Sequence, residues 1–503
     1  MSFLETIAPQ WALKRAAARA KLNVIKNYSQ AGAASNANWA KGLIASANSP
    51  NKDISENLET ITARSRYSFM SNPLASGPLK KMRTNVVGSG LLLNPKPDAE
   101  YLGLSDEQVM EFERTVKREF AVWAKSKDCD MARRLTFGQM QGLAFLSALV
   151  NGDVFAALPI KPRAGQPYDL RISLIEADRV RNPSGSFNDD KIKAGIEIDE
   201  DGEAVAAHIA NGFEGEKGGN EFTRIPFYGK NGTPLLLHLA QDWERVGQLR
   251  GVSALAPIME VLVQLNRYSQ AELMASVVSS MLTVFIKSEN GVGNLADGIP
   301  IADQVDAGND ETIELGNGSI VGLAPGEDVS IVNPARQNAG FDSVMQSYIR
   351  QLGVGLEMPY EVLIAHFQSS YSAARGALQE AWKMYNMRRE WLVEVFCQPV
   401  YEQWLAEAVA KGRVQASGFF DDPAVRAAWC GAKWIGPAQS SLNPAQEANA
   451  YKTQLEIGVT TREQISQQIS GTTFESNNST LAREYAARKK AGLEPDRSGV
   501  TNE

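Results

Sequence analysis

This chain of 503 residues has little with which to carry redox or metal chemistry. It holds three cysteines (Cys129, Cys397, Cys430) and three histidines (His208, His238, His366). The cysteines lie far apart, with no CxxC pair and no secreted-type spacing, which fits synthesis in a reducing cytoplasm. Long apolar runs are missing as well. The longest uncharged one, Leu273 to Ile286, has 14 residues, and a membrane-spanning helix needs about 20. The start of the chain carries Glu5 and lacks a basic-then-apolar signal pattern. A soluble, non-secreted protein with no membrane partner is expected. Motifs for nucleotide or hydrolytic chemistry are also wanting: there is no GxxxxGK(S/T), GxSxG, HExxH or EF-hand loop. Gly316, Gly318 and Gly322 have the wrong spacing for a phosphate loop and read as tight β-turns. A Ser253–His238–Asp242 triad has suitable residue types, but nothing in the sequence supplies its geometry. His208 and His238 sit between apolar neighbours and read as packed or hydrogen-bonded core histidines. Asp199, Glu200 and Asp201 read as a solvated hairpin tip. No catalytic residue, metal or cofactor is expected.

What is present is ordinary in amount and uneven in distribution. Apolar residues make up 44% and charged residues 22%, which excludes wholesale disorder, and the length implies two to four units at about 100–200 residues each. The net charge of −7 excludes a globally basic nucleic-acid binder. Nine acids fall between Glu289 and Ala335 with no Lys or Arg among them, so the remainder is slightly basic. That window has three readings: a solvated face, a docking surface for a basic partner, or the lining of a passage in which like charge keeps a polyanion mobile. The first 30 residues are basic.

Periodicity gives a coarse map. A helical stretch is read at Leu13–Ile25, then two helical pieces over 55–87 broken at Asn72-Pro73, where proline disfavours helix in the residue before it. An amphipathic helix over 105–127 starts at an N-capping Ser105 and carries Val109, Phe112, Val116, Phe120 and Trp123 at three- and four-residue spacing. A further helix spans Thr136–Val150. From Asp153 to Leu239 the period is two, with strands at Arg171–Ile175, Ile196–Ile198 and Ala204–Ile209 and a turn at Asp201-Gly202. Ile258 to Ile286 reads as one helix of 29 residues, roughly 43 Å long, striped by Ile258, Leu262, Leu265, Leu273, Val277 and Met281. Short β segments are read at Glu311–Leu315, Ser319–Leu323 and Val329–Val332, and helices at Phe341–Leu352 and Tyr371–Cys397. Pro399 is read as ending that last helix before Val400–Lys411. Two more helical stretches and a polar tail complete the chain.

Two apolar-striped helices flanking an acidic β insertion suggest a stem with a terminal knob. Four segments then resemble one family in its own order. The first is Asn57 to Arg66, continuing through Asn72-Pro73 to Gly88 and Gly90. The second is His238, then Arg245, Gly247, Gln248, Arg250, Gly251 and Ser253. The third is Pro325-Gly326-Glu327, then Gly353, Gly355, Pro359, Tyr360, Ser370, Tyr371, Ser372 and Arg375. The fourth is Asn443-Pro444, Glu447 and Gly458. Together they resemble the lambda-like bacteriophage portal proteins, or head–tail connectors. The arm and the last 40 residues lie outside the resemblance, and Asn443 departs from it, since the family usually has an acid there.

The resemblance implies an α+β portal fold with a mixed α/β wing, a helical stem, a small β-containing clip and a mostly helical C-terminal region. It implies an N-terminal arm (1–50), wing (51–251), outgoing stem helix (252–286), clip (287–335), returning stem helix (336–357), tunnel loop (358–372), long wing helix (373–411) and C-terminal wing or crown with a tail (412–503). The implied function is a ring at one capsid vertex, a twelve-membered homo-oligomer, through which the genome is packaged and ejected. The implied partners are double-stranded DNA held without sequence readout, the terminase large subunit, the major capsid protein and scaffold, and head–tail adaptor proteins. The place is the virion, after synthesis in the host bacterial cytoplasm. Tunnel-loop residues facing DNA would be His366, Gln368, Ser369, Ser370 and Tyr371. Terminase-docking residues in the clip would be Asp303, Asp306, Asp310, Glu311 and Glu314. Leu262, Leu265, Leu273, Val277 and Met281 would pack the stem against neighbouring subunits. Such proteins have no catalytic centre. The rival readings are an infection-stage enzyme acting on DNA or cell wall, which would need a metal cluster or activated nucleophile, and a different head–tail adaptor, which would be far shorter.

Overall fold

The computed structural model describes Lys14 and residues 47–183, 188, 190–280, 284–288, 327–331, 340–367, 370–439 and 443–493. The chain divides into Met1–Asp53 and Ile54–Glu503. The described end of the first unit carries the start of a short helix, Pro50–Ser55, with the Asn48 amide donating to Asp53 at 2.9 Å. The Leu13–Ile25 reading lies outside the described residues apart from Lys14.

The second unit begins with the helices Leu58–Ser71 and Pro73–Val86, parted at Asn72 as read. Asn72 is extended, and its side chain accepts from Leu74 N–H, so one residue ends the first helix and caps the second. Asp106–Ala124 opens with a capping box between Ser105 and Gln108, and Phe137–Asn151 with one between Thr136 and Gln139. The stripe read on the first of these is the buried one: Phe112, Val116, Phe120 and Trp123 enter the main core, with Phe120 edge-on to Trp404 at 5.0 Å.

The β region forms two layers. Asp153–Ala157 is the centre of a three-stranded antiparallel sheet, flanked by Ser173–Glu176 and Leu236–Ala240. Strand alternation splits its side chains between two cores. Val154 and Ala156 join the helical core, while Phe155 joins a second core with Ile175, Ile196, Ile209 and Phe227. That second core is shared with a four-stranded antiparallel sheet in the order Ile192–Lys193, Ile196–Ile198, Ala204–Ala210, Phe222–Pro226. Its central turn holds Gly202 at φ +86°, as the Asp201-Gly202 pair required. The strand read at Arg171–Ile175 is shifted to Ser173–Glu176, and Arg171 is buried before it.

Three helix readings need correction. The long outgoing helix is Met259–Ser280, 22 residues and roughly 33 Å, after a 3-10 turn at Ala256–Ile258. Val284–Ser288 is instead a strand, paired antiparallel with Glu327–Ile331. The β-branched and aromatic run at Val284, Phe285 and Ile286 suits a pleated ladder better than a helix interior. Secondly, Pro399 does not end the helix. Tyr371–Leu392 passes through a five-residue π turn, Val393–Cys397, into Gln398–Ala410. Gln398 N–H donates to Val393 O, five residues back, and this wide turn absorbs the missing donor and ring of the proline. Lastly, the end of the chain is more helical than read, with Pro444–Glu456, Arg462–Ser470 and Phe474–Lys490. Asn443 caps the first of these by accepting from Gln446 N–H, so a neutral amide serves where an acid was expected. The returning helix, read as Phe341–Leu352, runs Phe341–Gly355.

Candidate functional site at the root of the paired helices

The outgoing helix must leave the body at a defined angle, and a buried charged cluster holds its root. Asp153 opens the central strand and is fully buried, and Arg250 is 2% exposed. The guanidinium grips the carboxylate with both edges: Nε donates to Oδ2 at 2.7 Å and Nη2 to Oδ1 at 3.0 Å. Its other donors reach the carbonyls of Val180 (2.7 Å), Ala194 (2.8 Å) and Ala177 (3.0 Å). One side chain therefore ties the strand, the four-stranded sheet and the helix root together. His238 Nε2 lies 3.0 Å from Asp153 Oδ2, with its ring stacked on Phe155 at 4.2 Å. Gly251 N–H adds a further bond to Asp153. Burial raises the Asp153 pKa, but the Arg250 charge and the hydrogen bonds from His238 and Arg250 outweigh it and hold the carboxyl below the usual range.

The backbones are equally committed here. A Cβ on Gly251 would sit 2.1 Å from Gly152 O, and one on Gly152, at φ +96°, would meet Gly251 O at 2.5 Å. Only paired glycines permit that approach. Gln248 closes the preceding loop by accepting from Glu244 and Arg245 N–H and donating to Arg250 O at 2.8 Å. Ser253 Oγ donates to Leu149 O and His238 turns to Asp153, so the Ser253–His238–Asp242 triad is not assembled. His208 meets Glu197 at 3.2 Å. Both histidines are hydrogen-bonded, as their context indicated, and half-buried. Among the described residues no group of acids, cysteines and histidines could hold a metal ion, and no helix is long and apolar enough to cross a membrane.

Outgoing and returning helices pack antiparallel. Ile258 lies against Gly355, where a Cβ would meet its Cγ2 at 2.3 Å, and Tyr268 stacks on Phe341 at 5.6 Å. Here the stem reading is corrected. Leu262 and Leu265 are 1% and 2% exposed within their own chain, in the core that also buries Leu352 and Leu356. No neighbour is needed to cover them, because the returning helix already does. Leu273 (67% exposed) and Val277 (41%) lie past Tyr268 and stay open. Met281 lies outside the described residues.

After the returning helix the chain turns sharply. Glu357 and Ala365 both take left-handed conformations, at φ 55° and 56°, on either side of the short helix Tyr360–Ile364. Lys81 donates to Val362 O, and Arg388 from the long helix reaches Glu357 at 3.2 Å. His366 and Tyr371 are exposed, and Ser370 caps the long helix by accepting from Ala373 N–H. Gln368 and Ser369 lie outside the described residues. So do all five acids of the expected docking set, Asp303, Asp306, Asp310, Glu311 and Glu314.

In chain order the described residues thus run from a root cluster through two antiparallel helices and a bent connection into a long helix. Residues 36–389 match the family described as phage portal protein, lambda family. The chain belongs to that family. Portal proteins of this family are structural, non-enzymatic components of the phage head. The portal chain is similar to the portal protein of Escherichia phage N15, 25% identical over 86% of this chain and 85% of that one. It is similar to portal protein B of Escherichia phage lambda, at 24% over 86% and 84%. Among solved structures it is similar to a chain of the native gene transfer agent virion, at 10% identity and a TM-score of 0.43 over 86% of this chain and 96% of that one. The sequence reasoning missed Asp153 as the partner of Arg250. The available signal was a lone acid opening an otherwise apolar strand, Asp153-Val154-Phe155-Ala156-Ala157.

Proposed function

We propose that twelve copies of this portal chain form the conduit through which double-stranded DNA enters and leaves the capsid. The observation that carries this reading is the family match across residues 36–389. In this reading 51–251 is the wing, 252–286 and 336–357 the stem, 287–335 the clip, 358–372 the tunnel loop and 373–411 the long wing helix. The terminase large subunit docks at the clip during packaging, and head–tail adaptors replace it. The capsid protein and scaffold contact the wing, and the chain is made in the host cytoplasm. Light scattering should give twelve times the 54.8 kDa subunit mass, with twelvefold rings end-on by negative stain. A stable monomer at micromolar concentration overturns it.

A deletion in the tunnel loop and a triple substitution in the clip probe this reading. The stretch His366, Phe367, Gln368, Ser369, Ser370 and Tyr371 has no acid, Lys or Arg, and hydroxyls and amides exchange water-mediated contacts along phosphates without base readout. Deleting Gln368–Ser370 should leave rings intact and impair packaging or retention of DNA; normal packaging and retention in that deletion count against the loop assignment. At the clip, nine acids per copy around one opening repel phosphate within a Debye length of about 8 Å and attract a basic motor surface. Changing Asp310 to Asn, with Glu311 and Glu314 to Gln, should weaken terminase binding and flatten its salt dependence while rings persist. Unchanged affinity and slope remove these acids from docking.

A further inference from the structure

Two adjoining loops carry positive charge that the subunit does not neutralise. Residues 125–135 and 159–171 hold seven cations and three acids in a chain of net charge −7. They form one surface, because the Arg163 guanidinium donates to the carbonyls of Asp128 (3.2 Å), Asp130 (3.1 Å) and Met131 (2.7 Å). The three acids are already engaged. Asp128 is shared by Arg133 and Arg163, Asp130 accepts the N–H groups of Ala132, Arg134 and Leu135, and Asp169 pairs with Lys411. Lys125, Lys127, Arg134 and Lys161 are exposed, with no ion pair among the described residues. Beneath them Arg171 is 1% exposed, its Nε and Nη2 lack hydrogen-bond partners, and it lines a cleft with Ser126, Asp128 and Gln166. Burial, and then the Arg163 charge, lower its pKa. This is a surface short of negative charge.

The complementary charge lies elsewhere on the same subunit. The hairpin tip 199–203 exposes Asp199, Glu200, Asp201 and Glu203 and no cation. Asp199 closes the turn by accepting from Asp201 N–H (3.0 Å) and Glu203 N–H (2.8 Å). The carboxylates of Glu200, Asp201 and Glu203 have no ion-pair partner among the described residues. In a cyclic ring every interface is heterologous: one face of a subunit meets a different face of the next. Two unpaired patches of opposite sign on each copy are what such an interface can use.

We propose that the acidic hairpin 199–203 of one subunit docks on the cationic surface of loops 125–135 and 159–171 of its neighbour. The inference rests on the ring reading above. Such pairing sets register and association rate, and salt screens it.

A charge exchange in the full-length chain tests it. Lys127→Glu with Arg134→Glu, and separately Glu200→Lys with Asp201→Lys, should each raise the subunit concentration for half-assembly about tenfold at low salt. The quadruple variant should return to within about threefold of the parent, since only a direct pairing is restored by exchange. Circular dichroism confirms that each subunit stays folded, and light scattering reads the mass. If both double variants assemble like the parent, or the quadruple variant fails to recover, the docking is wrong and the ring stands. If the parent itself forms no ring, the ring reading falls and takes this contact with it. If Lys127→Glu with Arg134→Glu weakens only binding to a short DNA duplex, the surface holds phosphate and the proposal is overturned.

Discussion

Replacing Arg250 with methionine should lower the stability of the subunit by about 3–5 kcal/mol, because it leaves a fully buried carboxylate without its counter-charge. It also strips donors from the carbonyls of Ala177, Val180 and Ala194, so three elements lose their common tie. The double variant Asp153→Asn with Arg250→Met should cost less than the sum of the single changes, since each removes the other's penalty. Urea unfolding of the subunit reads both effects, and a single-variant loss under 1 kcal/mol would show that the cluster does not hold the root. The pH dependence follows from the depressed Asp153 pKa. The unfolded carboxyl titrates near about 3.9, so the pair's contribution is complete above that value and fades as pH falls toward the lower folded pKa. The pair's contribution to the parent's stability should therefore stay constant from neutral pH to about pH 5 and fade only in stronger acid.

Leu273→Asp should abolish ring formation and leave the subunit folded. Leu273 is 67% exposed in the isolated chain, so an aspartate there faces water and costs little. In the assembled stem it would bury an unpaired carboxylate against an apolar neighbour at every interface, at several kcal/mol each. Light scattering should show subunit-sized mass with an unchanged circular dichroism spectrum. Leu265→Asp is the contrast. At 2% exposure it introduces the charge into the subunit's own core and should unfold the chain before assembly is reached. Intact rings from Leu273→Asp would take this stretch of helix out of the interface.

Much of the local chemistry was legible in the sequence. Asn72-Pro73 parted two helices, Ser105 and Thr136 capped two more, and Asp201-Gly202 turned a hairpin. Each of these depends on a few neighbouring residues and on backbone sterics. The apolar stripe through Phe112, Val116, Phe120 and Trp123 named its buried face, since periodicity alone decides which side of a helix is apolar. The four ordered segments, in a sequence lacking catalytic motifs, already pointed to the portal family.

The tertiary structure decided matters that depend on distant partners. Val284–Ser288 extends the apolar stripe of the outgoing helix, yet it is a strand because Glu327–Ile331 supplies a ladder some forty residues away. Pro399 looked like a terminus, and a π turn in Val393–Cys397 carried the helix through it. Leu262 and Leu273 share one stripe, and only the reach of the returning helix sets one in the core and the other at the surface. Asp153 and Arg250 lie 97 residues apart. The sequence by itself determined where helices and turns begin, because those choices are local. Which buried charges meet, and which apolar residues are left for a neighbour, only the packed chain could decide, because both depend on what arrives from far along it.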